Sequence, residues 1–317
     1  MGGAPTGGHG WGTRDDSAAL AALVRALECG ITFFDTADVY GLGNAETLLR
    51  RALEEFPSSR HDVVIATKGG VAWDEAGRTR RDSSPHQLRR ALEASLQRLG
   101  VECIDLYYLH WPDAITPLEA SLEALMRFRA EGKVRAIGVC NLGAAQLAQC
   151  GHAGLAAVQV KGNLLEPEDL LSASSIARSI GAQVICSSAL ADGLLTGSIG
   201  RGRAFGPDDH RCRYPLFQPG IFTQALDRVE CARVIARRLG MSMSQLAMRW
   251  LLDCGAADAV LFGTTSPAHV TENAACLTQR LDADAVLALG REVPMVPLSA
   301  LPSIGSAVFA QRVEPTS

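Results

Sequence analysis

Short, nearly unbroken apolar runs alternate along the chain with longer stretches in which apolar residues recur every three or four positions. The runs at 31–35, 63–67, 104–109 and 134–139 are clear, and those at 157–160, 183–186 and 259–262 are weaker. Each is too short for a helix and lacks the alternation of a half-exposed strand. That is how strands of a parallel sheet read when both faces are covered. Helical periodicity fills 16–29, 85–99, 118–130, 168–180, 225–239 and 244–252. In the first, Leu20, Leu23, Val24 and Leu27 share a face that stops at Gly30; in the second, Ser84 is placed to cap the start and Gly100 the end. Repeated strand–helix units without a break in composition predict one α/β domain over 1–317, with an irregular, proline-bearing tail from about 292. One stretch, 188–220, breaks the rhythm with glycine, proline and the run Asp208-Asp209-His210-Arg211. Loops of that length usually serve function.

An open doubly wound sheet and a closed (β/α)8 TIM barrel both satisfy this pattern. A dinucleotide-binding open sheet places G-x-G-x-x-G between its first strand and helix. No such motif stands there, which favours the barrel. Composition narrows the setting further. A net charge of -4 gives no reason to expect nucleic acid or an anionic membrane as partner. No apolar run approaches the about 20 residues that span a bilayer. The nine cysteines are scattered without a C-x-x-C pair, so no metal site is expected and the thiols read as reduced, with the cytoplasm as the expected location. Basic charge is nearly all arginine; the only lysines are Lys68, Lys133 and Lys161. The pattern carries no reading of oligomeric state.

Barrel enzymes do their chemistry at the C-terminal ends of the strands. Asp35 and Tyr40 follow the first run, Lys68 the second, His110 the third and Asn141 the fourth, while Gln159 lies within the fifth. Singly, each is an ordinary polar strand end. Together they form a coherent acid–base set. A free tyrosine, with a pKa of about 10, is a sluggish acid near neutrality. Lys68 is placed to draw that value down, Asp35 to hold Lys68, and His110 to orient a carbonyl oxygen.

The stretch Phe33-Phe34-Asp35-Thr36-Ala37-Asp38-Val39-Tyr40-Gly41 resembles the signature of aldo-keto reductases. Ala66-Thr67-Lys68, Tyr107-Tyr108-Leu109-His110 and the segment from Gly132 to Asn141 are similar to three further motifs of that family, in order and at family-like spacing, over about residues 2–290. The resemblance implies a barrel that reduces a small-molecule aldehyde or ketone with NAD(P)H, reversibly. Tyr40 would be the general acid/base, assisted by Asp35, Lys68 and His110. It implies that Asn141 and Gln159 hold the nicotinamide carboxamide, that Ser187, Ser188, Leu190 and Gly193 lie along the ring and pyrophosphate, and that Gly263, Thr264, Thr265, Ser266, His269, Glu272 and Asn273 meet the adenosine end. Trp111 is a candidate for the substrate pocket. Segments 71–82, 111–116 and 197–220 would shape that pocket but carry no decisive chemistry.

Four departures matter. Ser187 stands where the family usually has an aromatic that stacks on the nicotinamide, and Cys140 replaces the usual serine before Asn141. Thr264 and Thr265 offer no arginine or lysine, which leaves His269 as the nearest cation for a 2′-phosphate; NADP(H) is nonetheless expected before NAD(H). The residues that would build the first barrel strand are missing before Gly2, so either the chain continues upstream or that strand is truncated and its neighbour has an unpaired edge. Two other readings stay compatible with the residues: a cofactor-binding accessory subunit with little turnover, and a redox-neutral isomerase or lyase on the same scaffold.

Overall fold

The computed structural model describes residues 1–8, 15–56, 62–206 and 209–293. The expected irregular tail falls almost wholly outside these residues, as does Asp208. The strands are β1 (Phe33–Asp35), β2 (Val64–Gly69), β3 (Val71–Trp73), β4 (Thr79–Arg81), β5 (Ile104–Leu109), β6 (Val134–Cys140), β7 (Ala157–Lys161), β8 (Gln183–Ser187) and β9 (Ala259–Val260). Seven of them form a parallel sheet in the order β1-β2-β5-β6-β7-β8-β9, and β3 and β4 form a separate antiparallel hairpin.

Three residues close the sheet into a barrel. Gly2 pairs in parallel with Asp35. Asp35 N donates to Met1 O at 2.8 Å and Gly3 N to Asp35 O at 2.7 Å, while Gly2 N donates to Phe262 O at 2.7 Å. The short first strand is therefore present, bonded to β1 on one side and to the chain beyond β9 on the other. The unpaired edge expected from the sequence does not exist at this level of the barrel. Main-chain bonding needs no particular side chain, which is why Met1–Gly3 left no hydrophobic signature.

Alternation along the strands sorts side chains into two layers. Ala66, Leu106, Tyr108, Cys140, Ile185 and Leu261 pack together as one buried cluster inside the barrel. Ile65, Tyr107, Leu109, Ile137, Val158 and Val184 belong to the outer core beneath the helices. Tyr108 fits because its neighbour across the strand is Gly138: a Cβ there would lie 2.6 Å from the Tyr108 ring.

The helix Pro85–Leu99 shows how local sequence sets the outer layer. Ser84 Oγ accepts from Gln87 N, Pro85 occupies the first turn, and Gly100 ends the helix at φ 68°. Between those caps Leu88, Leu92, Leu96 and Leu99 are buried. Each such leucine stabilises by about 1.5–3 kcal/mol relative to exposure. The helices Asn44–Glu55 and Ala283–Glu292, not expected from the sequence, carry the same kind of apolar face. Among the described residues no helix is long and apolar enough to cross a membrane.

Candidate active site

The strand ends deliver the expected residues to one mouth. Asp35, Tyr40, His110, Trp111, Asn141 and Gln159 all line a cavity of about 280 Å³, which runs on past Ser187 and Ser188 to Gly263. Lys68 lies just beneath it, fully buried. Its ammonium donates to Asp35 Oδ1 at 2.5 Å and to the Thr36 carbonyl at 2.7 Å. The second Asp35 oxygen accepts from Gln159 Nε2 at 2.7 Å. Taking two charges out of water costs several kcal/mol, and only close pairing with further hydrogen bonds offsets that cost. This pair has both.

Tyr40 stands over this base, with the Lys68 ammonium 5.0 Å from its ring centroid. Its backbone is held by a close crossing of two glycines. A Cβ on Gly7 would lie 2.6 Å from Gly41 N, and one on Gly41 would lie 2.2 Å from Gly7 O. Gly41 also sits at φ 62°, a conformation glycine adopts freely. The His110 ring meets Tyr40 edge-on at 5.7 Å between centroids.

Burial dominates the electrostatics. It raises the Tyr40 pKa above its ordinary value against the pull of Lys68, with Asp35 and Cys140 adding to the rise. The depressed phenol expected from Lys68 alone is therefore not what the site holds at rest. Burial also works against the Lys68 charge, but the Asp35 carboxylate, with Tyr40 and Cys140, outweighs it and holds the ammonium above the usual lysine range. Burial, then Lys68 and Arg81, push His110 well below the usual histidine range, so the imidazole is neutral at pH 7. His110 Nδ1 is buried without a hydrogen-bond partner among the described residues. Burial pushes the Cys140 thiol up, which makes it inert.

Asn141 adopts φ 57° and donates through Nδ2 to the His110 carbonyl at 3.0 Å. Leu42, Ser188, Ala191 and Asp192 also have positive φ, and all four lie in the loops that follow β1 and β8. Such backbone costs about 1–3 kcal/mol a residue and concentrates where geometry serves function. Leu190 packs partly buried on the core, while Gly193 turns the chain at φ 100°.

Beyond Gly263 the remaining expected residues gather at the start of the helix Pro267–Ala274. Ser266 caps it by accepting from His269 N, and Ser266 N donates to Thr264 Oγ1 at 3.1 Å. Thr264 Oγ1 and His269 Nδ1 lie 3.5 Å apart. Thr265 and Glu272 are half-buried, and Asn273 is buried.

The end of β7, the loop after it, the long segment after β8 and the hairpin contribute residues that the sequence did not single out. Lys161 lines the cavity beside Tyr214, its ammonium 4.1 Å from that ring. Glu166, buried, accepts from Lys161 at 3.0 Å and from Tyr214 Oη at 2.9 Å. Across the mouth, Arg81 of β4 lies with Cζ 4.2 Å from the Trp111 ring centroid. One signal was available for Lys161: it is one of three lysines in a chain that otherwise uses arginine, and like Lys68 it stands at a strand's C-terminal end.

Barrel and mouth together define a (β/α)8 enzyme with an acid–base centre at one end of a long groove. The family model described as "Aldo/keto reductase family" matches residues 1–290. An "NADH-specific methylglyoxal reductase" of Escherichia coli is 33% identical, covering 89% of this chain and 90% of its own. An aldo-keto reductase of Schizosaccharomyces pombe, named for NADP(+), is 30% identical over 86% of this chain and 81% of its own. Among solved structures, a glycerol dehydrogenase of Gluconobacter oxydans superposes with a TM-score of 0.83 at 35% identity, covering 94% of this chain and 93% of that one. The chain belongs to the aldo/keto reductase family. It is an oxidoreductase of NAD(P)H-dependent carbonyl reduction on a (β/α)8 barrel.

Proposed function

We propose that Tyr40 is the proton donor in the reduction of a small aldehyde or ketone, with Lys68, Asp35 and His110 setting its chemistry. The observation that carries this reading is the buried ammonium of Lys68, locked by Asp35 and facing the Tyr40 ring. With its pKa raised, Tyr40 is protonated at neutral pH and has a proton to give. As that proton leaves, negative charge grows on the phenol oxygen beside a lysine that stays charged. The Lys68 attraction therefore increases along the reaction, which is the condition for lowering a barrier. His110, neutral, donates one ring N–H to the substrate oxygen and orients the carbonyl. Bound NAD(P)H supplies the hydride. The alcohol product carries that hydride on carbon and the Tyr40 proton on oxygen.

The residues fit such a cofactor. Asn141 and Gln159 each commit an amide N–H to the protein and keep an amide oxygen that can accept from a carboxamide. Gly2, Gly3 and Gly263 leave the cavity wall bare of side chains there. Ser188, Leu190 and Gly193 would pass along the pyrophosphate. At the start of the helix Pro267–Ala274, Pro267 has no N–H and His269 N is given to Ser266, so the Ala268 N–H and the helix dipole would be what an adenosine phosphate meets there. The reading NADP(H) before NAD(H) requires His269, with Thr264, Thr265 and Ser266, to hold a 2′-phosphate that arginine or lysine holds best. Glu272 and Asn273 would close on the adenine. Trp111 would line the substrate side. The nine cysteines are all unpaired, which supports the cytoplasm as the working compartment.

The test pairs binding with turnover. Either reduced cofactor, at about 100 times its dissociation constant, should add about 2.7 kcal/mol of stability in a thermal-shift titration. The size of the shift at equal concentration ranks NADPH against NADH. Purified protein should then oxidise the bound cofactor against a panel of aldehydes and ketones. Binding without turnover on the whole panel would replace this reading with that of an accessory subunit.

A further inference from the structure

Tyr40 stands at the head of a turn that a chain does not adopt unaided. Gly41, Leu42 and Gly43 follow it at φ 62°, 55° and 96°, three left-handed residues in a row. Glycine takes that conformation freely and leucine does not, so the turn persists only where its surroundings over-determine it. Its own main-chain bonds are local. Leu42 N donates to Val39 O at 3.1 Å, Asn44 N to Gly41 O at 3.2 Å and Ala45 N to Tyr40 O at 3.2 Å. The crossing with Gly7 braces the turn on one side.

The other side is braced by a residue distant in sequence. Arg98, in the last turn of the helix Pro85–Leu99, lies across Gly43: a Cβ there would lie 2.7 Å from Arg98 Cδ and 2.9 Å from Arg98 Nε. Gly43 is the cap residue of the helix Asn44–Glu55 and supplies no side-chain bond to it. Arg98 Nε donates to Glu46 Oε2 at 2.6 Å, and Glu46, the third residue of that helix, is 0% exposed. The other carboxyl oxygen, Oε1, accepts from Thr67 Oγ1 at 2.6 Å.

Thr67 immediately precedes Lys68 in β2, and Asp38 N donates back to the Lys68 carbonyl at 3.3 Å. The turn that follows Tyr40 and the strand that carries Lys68 are thus joined through one buried carboxyl group, and Arg98 is its ion-pair partner. The pair acts close to Tyr40. Burial, then Glu46, push the pKa of Asp38 well up, and Arg98 pulls against them. Arg98 itself lies outside the cavity.

We propose that Arg98, acting through Glu46, is a positioning residue for Tyr40: it holds the turn 41–43 in its left-handed form and so keeps the phenol over Lys68. This rests on the reading of Tyr40 as proton donor and adds the residue on which its placement depends. Misplacing a reacting group by about 1 Å can cost about 10²-fold in rate, so a brace this far from the chemistry is felt there.

The experiment is a cycle of Arg98→Met, Tyr40→Phe and the double variant, read as kcat on one aldehyde with saturating reduced cofactor. Arg98→Met should lower kcat about tenfold, while KM for the aldehyde and the dissociation constant of the cofactor change less than about twofold. Arg98→Lys, which returns a cation to Glu46, should recover part of the loss. In the Tyr40→Phe background Arg98→Met should cost almost nothing more, because no phenol proton is left to place and the two effects do not add. Arg98→Met also strands a buried carboxylate. Should it fail to fold, Glu46→Gln combined with Arg98→Met strands no charge, and this variant should fold and keep the low kcat. Equal losses with and without the Tyr40 hydroxyl, or a folded variant of either kind with more than about half of wild-type kcat, overturn the inference and leave Tyr40 as the proton donor. A Tyr40→Phe variant that keeps more than about a tenth of wild-type kcat overturns both.

Discussion

Around Tyr40, on the side of β1, β2 and β5, the proposed catalytic charges are buried and tied down. Lys68 has Asp35 and a carbonyl, and Asp35 has Lys68 and Gln159. On the opposite side, past β8 and β9, the expected cofactor contacts come from small or polar groups in loops and at one helix start, such as Ser187, Thr264 and the exposed His269. The first side commits folding energy to fixed electrostatics. The second commits little, because a bound dinucleotide can itself complete its contacts. The difference teaches where function is built into the fold and where it is left to binding.

The largest expected effect breaks the first side at its centre. Tyr40→Phe removes the proposed proton donor while keeping the ring against His110. General acid catalysis contributes about 10²–10⁴-fold, so kcat should fall within that range. Cofactor affinity, measured separately by titration, should hardly move, since on the proposed reading the phenol oxygen meets the substrate and not the cofactor. A variant retaining more than a tenth of wild-type kcat would rule Tyr40 out as the proton donor.

Next comes the ion pair beneath it. Lys68→Met leaves the Asp35 carboxylate buried without its cation, a change that costs about 3–5 kcal/mol in other buried pairs. Urea denaturation should show that loss. Pairing it with Asp35→Asn should recover part of it, because neither charge is then stranded and the two effects do not add. If the two single losses summed in the double variant, the pair would not be acting as a unit.

Much of this first side was legible in the sequence, and the reason is geometric. In a parallel barrel every strand's C-terminal end arrives at one face, so Asp35, Lys68, His110 and Asn141 could be gathered from strand positions alone. Expected strand 104–109 coincides with β5, and expected helices 85–99 and 118–130 match the observed ones. What escaped depends on contacts that no local pattern encodes. Tyr214 reaches Glu166 across 48 positions of chain. Arg81 looks like one more arginine in a charged turn until the register of β3 and β4 faces it inward onto Trp111. The sign of the Tyr40 shift escaped too, because burial, which wins there, is a property of the packed mouth and not of any motif.

A smaller effect appears in the pH dependence of stability. The folded pKa of His110 is held well below its ordinary value, so the unfolded chain binds this proton more readily. The associated stability is present above the unfolded value of about 6.5 and is lost as pH falls from there toward the folded value. The slope from one such group is at most about 1.4 kcal/mol per pH unit. His110→Gln has no proton to gain, so the difference in stability between wild type and variant should shrink as pH drops from 7 to 5. Asp113, whose pKa lies down at about 2 despite burial because Thr116, Ser83 and Ile115 donate to it, titrates below that window and is common to both proteins. A difference that stays constant with pH would mean that His110 is not buried neutral.

The smallest effect sharpens the second side. Ser187 ends β8 with its Cα paired to Lys161, and the Lys161 ammonium lies 4.1 Å from the Tyr214 ring. An aromatic at 187 would present its face to a nicotinamide seated in the cavity. Aromatic contacts of that kind are worth about 0.5–1.5 kcal/mol, so Ser187→Tyr should tighten reduced cofactor about fivefold. Tyr214 is the aromatic already on this side of the cavity, with its hydroxyl anchored on Glu166. Tyr214→Leu breaks that anchor, so it reports on whether the loop-borne ring contributes to the same contact. A tighter dissociation constant in Ser187→Tyr, with little change in Tyr214→Leu, is the expected pair of results, because Tyr214 is committed to Lys161 and Glu166. The reverse pair, loss in Tyr214→Leu and no gain in Ser187→Tyr, would show that the cofactor side is as prebuilt as the Tyr40 side, through a ring carried by the loop and not by the strand.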